Sequence, residues 1–151
     1  MGSNWKTLSS AEWKYLLDTR SASTVNGTAN ARYAKATVCS NAGLIIFPDE
    51  YTHPSGVTAP TSINTTSAEF TVNTYDASAW SQMEAAGIVF LPAAGFRIGS
   101  YVYYVGDSGI YWSSTPLDSD YAYYLDFNSS NVYPADYDYR DSGYSVRLVT
   151  E

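Results

Sequence analysis

The chain has 151 residues, 45% of them hydrophobic and 16% aromatic, with a formal net charge of −7 and 15 Tyr. That length suits one domain with its own core. The acidity disfavours nucleic acid and anionic membranes as partners, because both would be repelled.

The charge is uneven. Residues 1–100 carry six Lys/Arg against seven Asp/Glu, whereas residues 101–151 carry Arg140 and Arg147 against seven Asp and Glu151. The acidic surplus therefore belongs to the last third. The single cysteine, Cys39, rules out an intrachain disulfide, so packing must hold the fold. No apolar run is long enough to span a bilayer as a helix, and direct membrane insertion is not expected. Met1-Gly2-Ser3 reads as a cloning scar, and residues 4–151 as one domain excised from a larger protein.

Leu8-Ser9-Ser10-Ala11-Glu12-Trp13 opens a helix. Ser9 and Glu12 form a capping box, and Leu8 is placed to staple onto Trp13. Trp13, Leu16 and Leu17 share a buried face, and the helix ends near Arg20. Residues 21–30 read as a loop. Arg32 to Val38 alternates as a strand, 39–42 turns, and Gly43 to Pro48 is a buried strand. Residues 49–73 form a long connection with a brief strand expected over 69–72. It contains His53, the only histidine, near Asp49 and Glu50; a lone imidazole in a polar loop reads as solvated rather than metal-binding.

Asp76 is placed to cap a second helix that ends at Gly87, with Trp80 and Met83 directed to the core. Ile88 to Pro92 reads as a strand continued by Ala93 to Arg97. Further strands are expected over Tyr101–Val105, Ile110–Ser114, Ala122–Phe127 and Tyr144–Val149, with a turn at 106–109. One of Tyr123 and Tyr124 must point inward if its strand alternates. Helix, strand pair, helix, then strands argue an α+β fold: two helices, a small mostly antiparallel sheet and a loop-rich C-terminal region.

The last third has fixed-looking ends, Gly109-Ile110-Tyr111-Trp112-Ser113-Ser114-Thr115-Pro116 and Gly143-Tyr144-Ser145-Val146-Arg147-Leu148-Val149. Tyr, Asp, Ser and Asn dominate between them. Tyr supplies a large, stiff, amphipathic contact surface at low entropic cost, and Asp and Ser add polar contacts. The candidate ligand-binding surface is Tyr101, Tyr103, Asp107, Ser108, Asp118, Ser119, Asp120, Tyr121, Tyr123, Asp126, Tyr133, Asp136, Tyr137, Asp138, Tyr139, Asp141, Ser142 and Tyr144. The alternative reading makes some of these Tyr ordinary half-covered sheet residues. Asp136, Asp138 and Asp141 lack the central Gly and terminal Glu of an EF-hand loop, so no metal is assigned. Ser113 lacks a Gly-x-Ser-x-Gly context, so Trp112 reads as core and the neighbouring hydroxyls as backbone partners. Arg97 and Arg147 are expected to pair with carboxylates or carbonyls inside the fold.

Phe90-Leu91-Pro92-Ala93-Ala94-Gly95-Phe96-Arg97, followed by Gly109 to Thr115 and Ser145-Val146-Arg147, resembles the "major paralogous domain" family of bacterial surface proteins. The Glu12-Trp13 helix and the Arg32-to-Pro48 strand pair also fit it. The resemblance implies a C-type-lectin-like fold. Formylglycine-generating enzymes share that fold, but their copper-binding cysteine pair is missing here, so neither catalysis nor a cofactor is implied. The Glu-Pro-Asn, Gln-Pro-Asp and Trp-Asn-Asp motifs of calcium-dependent lectins are missing as well. A subset of the fold serves as the variable protein of diversity-generating retroelements, in which adenine-directed errors turn Asn codons into Tyr, Asp or Ser. The Tyr/Asp filling is similar in pattern. It implies a calcium-independent adhesion domain, on a cell surface, pilus tip or phage tail fibre, that binds a protein or glycan on another cell. The alternatives are an enzyme relative or a purely structural module of a surface protein.

Overall fold

The computed structural model describes residues 4–150; the Met1-Gly2-Ser3 scar assigned from sequence lies outside them. In chain order the elements are β1 (Trp5–Thr7), α1 (Ser10–Lys14, continued by a π-helical turn Tyr15–Thr19), β2 (Tyr33–Val38), β3 (Asn41–Ile46), a 3-10 turn (Phe70–Val72), β4 (Thr74–Tyr75) and α2 (Ala77–Ala85). Then follow β5 (Val89–Pro92), β6 (Phe96–Ile98), β7 (Tyr101–Tyr103), β8 (Ser108–Pro116), β9 (Tyr121–Asn128), β10 (Val132–Tyr139) and β11 (Leu148–Thr150). The architecture is α+β, with two helices and several small, mostly antiparallel sheets.

Both helices start where local chemistry dictates. The Ser9 hydroxyl accepts the Glu12 N–H at 3.2 Å, and the Glu12 carboxylate accepts the Ser9 N–H at 2.7 Å. That backbone N–H, with Lys6 beside it, holds the Glu12 carboxyl down at about 2. Asp76 caps α2 by accepting the Ala79 N–H at 2.8 Å. Both devices satisfy N–H groups that a helix leaves unpaired at its start.

A four-stranded sheet, ordered β4-β2-β3-β5, forms the centre. β2 and β3 pair antiparallel from Tyr33↔Ile46 to Val38↔Asn41 through a two-residue turn, Cys39-Ser40, both with positive φ. One face of this sheet packs Ala34, Ala36, Ile45 and Phe47 against Tyr51, Tyr75, Met83 and Ile88. Its other face packs Tyr33, Leu44, Ile46 and Leu91 against Trp13 and Leu17 of the first helix and against Tyr111, Leu125, Phe127 and Val132. Those last four belong to a second sheet, the meander β10-β9-β8. β1 pairs antiparallel with β11, which ties the two ends of the described chain together.

Several sequence expectations change. The loop-rich C-terminal region is instead the meander, because Val132–Tyr139 pairs along β9 with a bulge between Tyr133 and Asp136. Residues 70–72 form a 3-10 turn, and the brief strand comes later, at Thr74–Tyr75, parallel to β2. Residues 93–97 do not prolong β5. The chain breaks at 93–95, and β6 pairs with β7 in a separate hairpin. Tyr144 to Val149 is a strand only from Leu148; before that, Ser145 makes a single bridge to Tyr111.

Gly95 and Gly109 set close approaches. Gly95 sits at φ +66, and a Cβ there would lie 2.0 Å from the Tyr103 carbonyl. A Cβ on Gly109 would enter the Phe127 ring, also at 2.0 Å. These two glycines bridge each other. They let the β6–β7 hairpin press onto the start of the meander, which places the site described next.

Candidate functional site

Strand β9 sorts its residues by parity, because successive side chains point to opposite faces. Leu125 and Phe127 are buried on the core face. Tyr121 and Tyr123 share that face but emerge beyond its covered part, half-exposed. Across the ladder they meet Tyr139 and Tyr137 respectively. Tyr121 and Tyr139 lie 4.3 Å apart at 35°, and Tyr123 and Tyr137 lie 6.3 Å apart near a right angle. Tyr137 and Tyr139 are 54% and 53% exposed, so this ladder is a displayed aromatic surface. The turn beside it is tied by side-chain hydrogen bonds. Asp118 Oδ1 accepts the N–H groups of Asp120 and Tyr121, at 2.8 and 2.9 Å. Arg140 donates to the carbonyls of Asp118 and Tyr121.

The opposite face carries Tyr124, Asp126 and Asn128 of β9, opposite Trp112, Ile110 and Ser108 of β8. It is open, and Phe96 and Tyr104 wall one side of it. Tyr144 enters from the other side. The backbone of residues 143–145 is pinned to Arg97 and to β8, through Gly143–Arg97 bonds of 2.8 and 2.9 Å and Ser145 bonds to Ile110 and Trp112. The result is a recess of about 660 Å³ lined by Phe96, Tyr104, Tyr124 and Tyr144 with Asp107, Ser108, Asp126, Asn128 and Ser129. Phe96 stacks on Tyr104 at 5.8 Å and meets Tyr144 edge-on at 5.8 Å. Tyr144 in turn packs against Tyr124 at 5.1 Å and Trp112 at 4.5 Å.

The electrostatics of the recess are one-signed. No Lys or Arg lines it. Burial first, and then the Asp136 charge, push the Asp126 carboxyl up to about 6. Burial and surrounding carboxylates also push the Tyr124 and Tyr144 phenols well above their ordinary range. The Tyr144 hydroxyl donates to Asp138. Among the described residues, no donor reaches the Asp126 carboxylate.

The sequence-derived surface residues therefore divide rather than share one face. Asp107, Ser108, Asp126 and Tyr144 line the recess. Tyr133, Asp136 and Asp138 alternate onto that face of β10, to either side of the bulge, and Tyr133 is exposed. Tyr121, Tyr123, Tyr137 and Tyr139 form the ladder, with Asp118, Ser119 and Asp120 in its exposed turn. Asp141 and Ser142 lie in the turn after β10, Asp141 exposed and Ser142 half-buried. Tyr101 and Tyr103 stand exposed on the β6–β7 hairpin.

Three readings need correction. Trp112 is not a core residue: its strand turns Tyr111 inward, and Trp112 lies half-buried on the recess face. Tyr123 takes the core-side parity with Leu125 and Phe127, as alternation requires, but stays only partly buried, while Tyr124 points to the recess. Arg97 and Arg147 are exposed, and their side chains make no hydrogen bond or ion pair among the described residues. The internal role expected of them falls to Arg20, 3% exposed, which pairs with Asp49 and donates to the carbonyls of Leu16 and Phe47 at 2.7 and 2.5 Å.

His53 organises its loop: its ring nitrogens lie 2.9 Å from the Tyr51 hydroxyl and 3.0 Å from the Val57 carbonyl. Ser113 Oγ accepts the Thr115 N–H, and Thr115 Oγ1 accepts the Ser10 N–H, so these hydroxyls bind backbone. Among the described residues, no group of three or more His, Cys, Asp or Glu side chains is placed to hold a metal ion. No helix there is long and apolar enough to cross a membrane.

Sequence reasoning missed Phe96, Tyr104, Tyr124 and Lys35. Tyr124 was legible by parity, two residues from Asp126 and out of step with Leu125 and Phe127. Tyr104 adopts a left-handed backbone, φ 56, which no residue-type signal announces for Tyr. Lys35, 0% exposed, sits on the core side of β2 and donates to the Thr66 carbonyl at 2.6 Å. Burial draws its ammonium down to about 8.

The sequence pattern of a family described as a domain of unknown function, DUF8237, matches residues 61–149, which include the recess and the ladder. No curated protein and no solved structure matches the chain.

Proposed function

Because the chain belongs to the DUF8237 family, whose function is unknown, we propose from the molecule itself that the domain is a non-catalytic binding module. It displays the Tyr/Asp surface of the meander to a protein or glycan on another cell, independently of calcium. The observation that carries this reading is the ladder Tyr121–Tyr139 and Tyr123–Tyr137. Four phenol rings are held in register on a two-strand scaffold, Tyr137 and Tyr139 exposed and Tyr121 and Tyr123 partly so, outside the buried core. Rigid, exposed, amphipathic rings are what an adaptable binding surface uses.

The capped first helix, the β2–β3 pair and the later β-rich third support the C-type-lectin-like fold of the major paralogous domain family. The Tyr/Asp bias between the two ends of the meander region supports diversification by a retroelement. In this reading the domain sits at the tip of a surface protein, pilus or phage tail fibre.

The test is binding of labelled domain to intact bacterial cells and to protein and glycan arrays, using wild type and a Tyr121→Ala/Tyr137→Ala/Tyr139→Ala variant. Loss of binding at least tenfold with an unchanged melting temperature is expected. Unfolding of the variant would make the ladder scaffold instead, and unchanged binding would overturn the reading. The flanking DNA tests the retroelement origin: a reverse transcriptase gene and an adenine-rich near-copy of the 3′ end are expected beside the gene, and their lack would sink that part.

A further inference from the structure

The recess on the other face of the meander has three properties that belong together. Its walls are aromatic, its charge is wholly negative, and a half-buried carboxylate on its floor, Asp126, lacks a hydrogen-bond donor among the described residues. A partly desolvated carboxylate without a donor is costly, and here the neighbouring Asp136 charge adds to the cost. Lys35 is the cation whose field reaches Asp126, but its ammonium is committed to the Thr66 carbonyl within the core. The Asp126 carboxylate is therefore open to a hydrogen-bonding cation that arrives from solvent.

The walls narrow the choice of cation. Aromatic faces attract cations through their quadrupoles, and they stack best with a flat one. A quaternary ammonium would satisfy the rings but could not donate to Asp126. A guanidinium does both: it is planar, weakly hydrated, and carries a donor fork matched to a carboxylate. A recess of about 660 Å³ has ample room for such a side chain.

We propose that this recess receives an arginine side chain of a protein ligand, its guanidinium paired with Asp126 and lying against the rings of Tyr104, Tyr124 and Tyr144. The inference rests on the binding reading above and names the chemistry its partner must present. The recess is the anchor, and the Tyr ladder is a separate contact surface on the opposite face. The pairing gives Asp126 the donor that the described residues do not supply, so Asp126 acts as a specificity determinant that prefers Arg to an uncharged side chain of the same shape.

The test is titration of the full chain, followed by ring-proton NMR, with N-acetyl-arginine methylamide, its citrulline counterpart as neutral isostere, and ethylguanidinium. Saturable shifts of the recess rings with the arginine amide are expected, with citrulline at least tenfold weaker. Asp126→Asn should weaken the arginine amide at least tenfold, and Tyr104→Asn, which keeps a residue suited to the left-handed backbone, several-fold. The comparison of arginine with citrulline on wild type needs no substitution, so it decides the case even where a variant folds poorly. Equal binding of arginine and citrulline, full retention in a folded Asp126→Asn variant, or no saturation with the arginine amide would each overturn the proposal. Tighter binding of ethylguanidinium than of the arginine amide would assign the recess to a free small cation and overturn the protein ligand. The triple Tyr variant should keep its arginine-amide affinity. Failure of the recess and failure of the ladder therefore read out in different experiments.

Discussion

The two main sheets are built on opposite terms. In the central sheet both faces are covered, so β2 and β3 bury nearly every residue, and even Lys35 is drawn inside. In the meander only one face is covered, and only over part of its length. Its strands therefore alternate between core residues and a polar, aromatic exterior. A sheet closed on both sides has no freedom left for recognition. The half-open sheet holds its position through Leu125, Phe127 and Val132, and leaves the alternate residues available to a ligand.

The largest effect should come from breaking the meander at its covered face. Phe127 is fully buried, stacks with Tyr111 at 6.2 Å and meets Phe70 edge-on. Phe127→Ala is expected to cost about 3–5 kcal/mol, read by urea denaturation, because transfer and cavity terms add. A loss below about 1 kcal/mol would mean that the two sheets do not share one core.

Next in size is Gly95→Ala, which sharpens the role of the hairpin. The positive φ and the 2.0 Å approach to the Tyr103 carbonyl should cost roughly 1–3 kcal/mol. The variant should also release Phe96 and Tyr104 from the recess, seen as altered ring shifts in NMR while the shifts of the Tyr137 and Tyr139 ladder persist.

Asp126→Asn is expected to stabilise. Its carboxyl has a folded-state pKa near 6, raised from 3.8 chiefly by burial. The folded state therefore binds the proton more tightly than the unfolded chain. The wild-type residue contributes fully below about pH 4, and that contribution is lost as pH rises through 6. Asn, which stays neutral, should raise stability at pH 7.5 by about 1 kcal/mol, reduced from the buried limit by solvent screening. The gain should vanish near pH 4. A gain independent of pH would overturn the assignment of strain to the charge.

The smallest effect concerns the central sheet alone. Cys39 and Ser40 both adopt positive φ in the two-residue turn between β2 and β3, which favours Asn-Gly. Cys39→Asn with Ser40→Gly should add about 0.5–1 kcal/mol in thermal melts without touching the ladder or the recess. A shift in arginine-amide binding in this variant would show that the turn is coupled to the recess through the core the two sheets share.

Much of the framework was legible because it obeys local rules. Ser9 with Glu12 and Asp76 announced both helix starts, since capping depends on neighbours within one turn. The β2–β3 pair and the inward Met83 followed from periodicity. What was not legible depended on contacts distant in sequence. Val132–Tyr139 looks like a polar loop because it lacks an apolar face of its own over Asp136–Tyr139; it is a strand because β9 supplies the pairing. Trp112 looks like core by residue type, yet its neighbour Tyr111 takes that place and donates to the Pro92 carbonyl at 2.7 Å. Arg20 gives no motif, because its carbonyl partners at Leu16 and Phe47 come together only on folding.

The α+β class, the cap-defined helices, the buried β2–β3 hairpin and the concentration of Tyr and Asp in the last third are all readable from local residue patterns. Composition, periodicity and capping chemistry act over a few residues and need no tertiary partner. The split of this Tyr/Asp set between a ladder and a recess arises from packing between distant parts of the chain. Strand parity separates Tyr123 from Tyr124 and Leu125 from Asp126, but it does not say which parity is covered. That choice belongs to the central sheet and α1, which bury one face of the meander, and to Gly95 and Gly109, which bring Phe96 and Tyr104 across the other.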